Sequence, residues 1–324
     1  MPGRSPSPRA SSSNHKSGTD HVYFRMNIVF HFDGSQALQA RVAKLGVTLC
    51  PESDEGRLAS LLPDVEVLWH VLKPVTAEVI ERAPKLRLIQ KIGSGVNTID
   101  LEAAKRRGIA VCNLPGTNSR AVAEMTLLLM LACLRRLHEV DATVRRGGWL
   151  DAWGLQDHFG ELGGRAVGLV GYGAVPRMLR PILQAFGADV LYWSRSTSNA
   201  SLGNLLARSD IVSLHLPLTD ATHKLIDPRQ MKRGSILVNT ARGGLVDEAA
   251  LVAALREGHL AAAGLDVFEL EPPSGANPLL ALPNVVCAPH VAWLTQETLE
   301  RSLAAAMENV KRLREGSPLV NRVA

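Results

Sequence analysis

The pattern that most restricts this chain is a doubled alternation of short β-branched runs with helical periodicity. In the first series, residues 26–32, 47–50, 65–71, 86–92 and 109–113 read as strands. Helical patterns over 36–45, 76–82 and 101–107 lie between them, the last stopped by Gly108. A second series begins at Ala166, with strands over 166–171, 189–193, 210–215, 235–239, 262–267 and 285–288. Strands that alternate with helices pair in parallel, because each crossover needs a helix to bring the chain back, and those helices cover both faces of the sheet. The expected fold class is therefore α/β, with two doubly wound parallel sheets. A long helix over 120–145 stands between the series, and an amphipathic helix over 296–314 leads to the end of the chain.

Composition agrees. A length of 324 residues suits two domains at about 150 residues each. With 46% hydrophobic and 21% charged residues the chain buries a sizeable core, which excludes wholesale disorder and a small disulfide-stapled scaffold. A net charge of +5, partly carried by Arg4, Arg9 and Lys16, is too small to argue for a nucleic-acid partner. The most apolar stretch, 125–134, falls short of the roughly 18 residues of a membrane span and runs into Arg135 and Arg136, so no membrane is expected. Cys50, Cys112, Cys133 and Cys287 are scattered beside apolar runs, which predicts buried free thiols in a reducing cytoplasm and no metal centre. Residues 1–21, rich in Ser, Pro and Arg, predict a disordered tail.

The second series opens on a strand, a glycine turn and a helix: Val170-Gly171-Tyr172-Gly173-Ala174-Val175-Pro176. Gly171 suits the tight turn and Gly173 lets the backbone approach a pyrophosphate, which the N–H groups of Ala174, Val175 and the rest of the first helical turn attract. Pro176 replaces the third glycine and is tolerated in a first turn. The next strand ends Trp193-Ser194-Arg195-Ser196, without the carboxylate that usually binds a ribose 2′-hydroxyl. Arg195, flanked by two serine hydroxyls, favours a 2′-phosphate, so NADP(H) is the expected cofactor, with NAD(H) possible.

Three further segments place reactive side chains just beyond strands: Arg242 in Thr240-Ala241-Arg242-Gly243-Gly244, Glu271 in Asp266-Val267-Phe268-Glu269-Leu270-Glu271-Pro272, and His290 in Ala288-Pro289-His290-Val291-Ala292-Trp293. In a parallel sheet the C-terminal strand ends open on one edge, so these groups converge. Order, spacing and flanks resemble the D-isomer-specific 2-hydroxyacid dehydrogenase family over about residues 26–320, and glyoxylate and hydroxypyruvate reductases in particular. The resemblance implies that Arg242 grips the substrate carboxylate, that His290 is the general acid or base, and that Glu271 orients its imidazole. It also implies cofactor contacts from Leu216, Pro217, Thr222, Thr240, Ala241 and Asp266, with Asp266 facing the nicotinamide carboxamide. On the substrate side it implies Leu72, the backbone of Ser94, Gly95 and Val96, and Trp293 beside the pocket.

By the same resemblance the fold is a flavodoxin-like substrate domain, 22–117 and 292–324, split around an inserted Rossmann coenzyme domain, 118–291. The expected protein is a homodimer built around the helix from Arg120, with Trp149 and Trp153 in a core or subunit contact. Glyoxylate and hydroxypyruvate lead as substrates, because Leu72 stands near the position where phosphoglycerate dehydrogenases carry an arginine. Two alternatives remain: a dehydrogenase of another 2-hydroxy acid such as 3-phosphoglycerate, and a dinucleotide-sensing, corepressor-like protein with little turnover.

Overall fold

The computed structural model describes residues 26–324, and the tail expected over 1–21 lies outside the described residues. The first series folds as β1 (Ile28–His31), α1 (Gln36–Lys44), β2 (Val47–Cys50), α2 (Glu55–Leu61), β3 (Val67–His70), α3 (Ala77–Glu81), β4 (Leu88–Lys91), α4 (Leu101–Arg106) and β5 (Ala110–Cys112). The strands pair in parallel in the order β2-β1-β3-β4-β5. That is the flavodoxin-like order, which reverses between β1 and β3. Side-chain oxygens of Ser35, Asp54, Thr76 and Asp100 cap the four helices, each accepting from an N–H three residues on. The sequence reading passed over α2, whose Gly56 and single buried residue, Leu58, leave little helical periodicity.

The helix expected over 120–145 is two helices, α5 (Ser119–Arg135) and α6 (Leu137–Arg145). The break is Arg136, left-handed at φ 46°, whose N–H closes α5 on the carbonyls of Ala132 and Cys133. Its Nε meets Glu139 at 2.7 Å, which holds a backbone conformation that non-glycine residues rarely adopt. Buried residues run through α5, whereas α6 buries none.

The second series gives β6 (Ala166–Val170), α7 (Ala174–Ala185), β7 (Asp189–Trp193), α8 (Leu202–Arg208), β8 (Ile211–Leu214), β9 (Ser235–Asn239), α9 (Glu248–Arg256), β10 (Leu260–Leu265), β11 (Val285–Cys287) and α10 (Gln296–Glu315). These six strands also pair in parallel, in the order β11-β10-β9-β8-β6-β7. The order reverses between β6 and β8, so a crevice opens beyond their C-terminal ends. Pro176 lies buried in the first turn of α7.

Met130, Cys133 and Leu134 of α5 join the core of the second sheet, with Val167, Leu169 and Val238. Leu303, Ala306 and Val310 of α10 instead join the core of the first, with Phe30, Trp69 and Leu88. The chain end returns to the first sheet as well, where Cys112 and Arg322 form an antiparallel bridge. All four cysteines are free, but Cys287 is exposed and corrects the expectation that all are buried, because it ends an edge strand with only β10 beside it.

Candidate active site

The glycine turn after β6 is built around close backbone approach. Gly171 has φ 95°, and a side chain there would collide with the carbonyl of His215 beyond β8. Gly173 caps α7 without any side-chain hydrogen bond, and a Cβ there would meet open space. The first-turn N–H groups therefore face open space at a positive helix end, which fits the pyrophosphate of a dinucleotide.

Around this cradle the expected contacts divide. Arg195 and Ser196 are exposed beyond β7, and Arg195 forms no ion pair among the described residues. The Ser194 hydroxyl, in contrast, donates to the carbonyl of Thr197 at 2.6 Å and accepts from its N–H. Its one proton is spent in that turn, so in this arrangement it does not donate to a 2′-phosphate. The Thr222 hydroxyl likewise donates to the carbonyl of Pro217 at 2.7 Å and shapes the loop that carries Leu216 and Pro217. Thr240 Oγ1 meets Thr126 Oγ1 at 2.9 Å and ties the end of β9 to α5.

Beyond β9, the Arg242 guanidinium reaches across to the first half of the chain. Its Nε donates to Asn97 Oδ1 at 3.2 Å and its Nη1 to the carbonyl of Ala241 at 2.6 Å. Its Nη2 occupies the space that a side chain on Gly95 would need. Burial lowers the pKa of Arg242 from its ordinary value, partly offset by the negative charge of Glu271. Within the loop around Gly95, carbonyls are used internally: that of Gly93 accepts from Leu114 N and that of Ser94 from Asn113 Nδ2. The N–H groups of Ser94, Gly95 and Val96 have no acceptor among the described residues. Three successive unpaired donors beside a guanidinium form a cradle for a carboxylate.

His290 sits beyond β11 in a left-handed conformation, φ 56°. Asp266 holds it there: its carbonyl accepts from His290 N at 2.7 Å, and its fully buried carboxylate accepts from Val291 N at 2.8 Å and Ala292 N at 2.9 Å. Burial raises the Asp266 pKa against the pull of these two N–H groups and of His290. Its first task in this structure is therefore to shape the histidine loop. Trp293, expected beside the pocket, is only 7% exposed and packs edge-on to Phe32 in the first core, because the turn after His290 directs it inward.

His290 Nδ1 and Glu271 Oε2 are 2.6 Å apart, and Glu271 Oε1 accepts from Phe268 N at 3.0 Å. Burial would raise the Glu271 pKa, but the bond to His290, that residue's charge, the Phe268 N–H and Arg242 together bring it below the usual carboxylate value. Glu271 thus stays ionised against Nδ1, while Nε2 has no partner among the described residues. The loops of Arg242 and Glu271 touch backbone to backbone, since any side chain on Gly243 would overlap Phe268.

A carboxylate cradle, a cation beside it and a histidine–glutamate pair with one free ring nitrogen form an acid–base site for a small carboxylic acid. Residues 127–292 match the family model "D-isomer specific 2-hydroxyacid dehydrogenase, NAD binding domain". The chain belongs to this family. The glyoxylate reductase of Aeropyrum pernix is 42% identical over 82% of this chain and 85% of its own. The D-3-phosphoglycerate dehydrogenase of Mycobacterium leprae is 38% identical over 84% of this chain and 54% of its own. Among solved structures, the TT0316 protein of Thermus thermophilus superposes with a TM-score of 0.82 at 38% identity, covering 92% of this chain and all of the other. As a D-2-hydroxyacid dehydrogenase this chain is an oxidoreductase that uses a nicotinamide dinucleotide.

Two residues of the site went unassigned in the sequence reading, although both stand next to residues it names. Asn97 orients Arg242, and Gly243 sets the contact between the Arg242 and Glu271 loops. A polar residue two positions after Gly95 and a doubled glycine after Arg242 were the available signals. Among the described residues no group of three or more His, Cys, Asp or Glu side chains is placed to hold a metal ion, and no helix is long and apolar enough to cross a membrane.

Proposed function

We propose that the protein reduces a small 2-oxo acid, glyoxylate or hydroxypyruvate, to the D-2-hydroxy acid, with NADPH favoured over NADH. The observation that carries this reading is the carboxylate cradle of Ser94, Gly95 and Val96 facing Arg242, with the free Nε2 of His290 in the same site. The N–H groups fix the substrate carboxylate while the guanidinium fork neutralises it and polarises the adjacent 2-oxo group. The Gly171–Val175 turn, Arg195 and Ser196 would hold the dinucleotide, which would supply the hydride. His290 gives its Nε2 proton to the carbonyl oxygen, and Glu271 stabilises the ring through Nδ1. In the reverse direction Nε2 takes that proton back.

The small-substrate reading rests on Leu72, which brings no charge to the substrate loop, and on Lys73, whose ammonium is committed to Glu55 at 2.9 Å. A substrate phosphate finds no free cation in that loop. We further propose a cleft between 22–117 with 292–324 on one side and 118–291 on the other, whose closure excludes water. In the proposed cytoplasmic homodimer, a second copy covers the exposed Leu137, Val144, Trp149, Leu150 and Trp153 on and after α6. A monomeric mass in solution contradicts that arrangement.

The test is dinucleotide consumption with glyoxylate, hydroxypyruvate, pyruvate and phenylpyruvate, each with NADPH and NADH. Fast NADPH loss with one of the first two supports the reading, and Arg195→Asp then shifts preference towards NADH. Loss with phenylpyruvate alone overturns the substrate, and an unchanged cofactor ratio in Arg195→Asp removes that residue from the site. Tight dinucleotide binding without turnover favours a sensor.

A further inference from the structure

The last register positions of β2, β1, β3 and β4 bring Cys50, His31, His70 and Lys91 side by side beneath the substrate loops. Lys91 is the member that reaches furthest. It is 4% exposed, its Nζ lies 3.4 Å from His70 Nε2, and it donates to the carbonyl of Val71. On the other side of the same peptide, Glu52 Oε1 accepts from Leu72 N at 3.4 Å and Lys73 N at 3.3 Å. The Lys73 ammonium folds back onto the carbonyl of Glu52 at 2.6 Å. The Val71–Lys73 segment is thus gripped from both sides: its carbonyl by a buried amine on β4 and its N–H groups by a carboxylate after β2. His70 Nε2 bonds Thr98 Oγ1 at 2.8 Å, which joins the segment's base to the far end of the carboxylate loop.

We propose that Lys91 and Glu52 are positioning residues for substrate size: by clamping the Val71–Lys73 peptide they fix how far Leu72 stands from the carboxylate cradle. This rests on the functional reading above, in which Leu72 covers the substrate. Leu72 packs against the core that holds Trp293 and Phe32, so its side chain has one apolar support, and the clamp supplies the backbone constraint that keeps it there. Burying an amine is costly, and the clamp offers it an acceptor that an apolar residue would not use. Among the described residues neither side chain hydrogen-bonds Arg242, Glu271 or His290. Their effect passes through Leu72 to the side of the substrate that carries its variable substituent.

Two readouts separate this role from a merely structural one. In the unliganded protein, amide hydrogen exchange at Leu72 and Lys73 should speed up at least tenfold in Lys91→Met and in Glu52→Ala. In Glu52→Gln, which keeps an accepting oxygen, it should stay near the wild-type rate. In the same loosened variants the ratio of kcat/KM for phenylpyruvate to that for glyoxylate should rise at least fivefold, while dinucleotide affinity stays constant. Unchanged exchange in Lys91→Met and Glu52→Ala overturns the clamp. Faster exchange with an unchanged ratio overturns its part in selection. If Lys91→Met does not fold, the Glu52 pair decides on both readouts. Absence of turnover in the wild type contradicts the functional reading, and the exchange measurement still decides the clamp.

Discussion

The two sheets end differently at the edge that carries the site. Across the first, polar side chains fill the last strand positions: His31, His70 and Lys91 are all buried there, within the sheet itself. Across the second, β6, β8 and β10 end in Val170, Leu214 and Leu265, β9 alone of these central strands ends in a buried polar residue, Asn239, and the reactive groups come in the loops beyond. The first sheet therefore holds its loops by side-chain hydrogen bonds from the strand ends, as Lys91 holds Val71 and His70 holds Thr98. The second adds close backbone contacts, as Gly171 meets His215 and Gly243 meets Phe268, to side-chain bonds from Asn239, which holds Ala241 and Arg242, and from Asp266, which holds Val291 and Ala292. At Gly171 and Gly243 the second half leaves no room for an added Cβ.

The sharpest break of that contrast is Gly243→Ala. Its methyl overlaps the Phe268 backbone, which cannot rotate away as a side chain would. Overpacking typically costs about 1–3 kcal/mol, and a rigid backbone neighbour puts this site at the upper end. A lower unfolding midpoint in denaturant, with activity lost through the displaced Glu271, is the expected result. A folded and active Gly243→Ala would show that this backbone contact does not set the two loops.

Asn97→Ala tests the bond where the halves meet. Loss of the Nε contact lets the Arg242 fork swing from the carboxylate cradle. A charge-assisted hydrogen bond of this kind is worth about 1.5–3 kcal/mol, so kcat/KM should fall roughly ten- to hundredfold. Steady-state kinetics should show no matching change in dinucleotide affinity.

Lys91→Met sharpens the first half through pH. Burial, together with the Arg242 charge and against the attraction of Glu52, brings the Lys91 amine from 10.5 down to about 7. Between these values the unfolded chain binds more protons than the folded one, so stability from this group rises with pH across that window. Below the folded value the penalty of burying the charge is complete. Lys91→Met should therefore be more stable than the wild type at pH 7, with the advantage shrinking towards pH 10. Denaturant melts at the two pH values decide it, and an advantage that grows with pH contradicts the assignment.

Legibility in the sequence followed the same division. Both sheets could be read because β-branched runs and their flanking glycines report local periodicity, and β2, β7 and β9 fall on the expected residues. Arg242, Glu271 and His290 were legible as motif members. The break at Arg136 was not, because its left-handed turn depends on the Glu139 contact, which no local periodicity reports. Nor was the inward placement of Trp293, which follows from packing against Phe32 more than 250 residues earlier in the chain. The spent hydroxyls of Ser194 and Thr222 were hidden for a related reason: a hydroxyl in a turn looks the same in sequence whether it faces a ligand or its own backbone.

The central claim is that a histidine held by Glu271 performs proton transfer next to a carboxylate cradle. His290→Gln keeps the size and a hydrogen-bonding end but removes the acid. Turnover of glyoxylate or hydroxypyruvate, followed by NADPH absorbance and paired with a dinucleotide-binding titration, measures it most directly. The account predicts at least a roughly hundredfold fall in kcat with binding unchanged. A near-normal kcat in His290→Gln would contradict it.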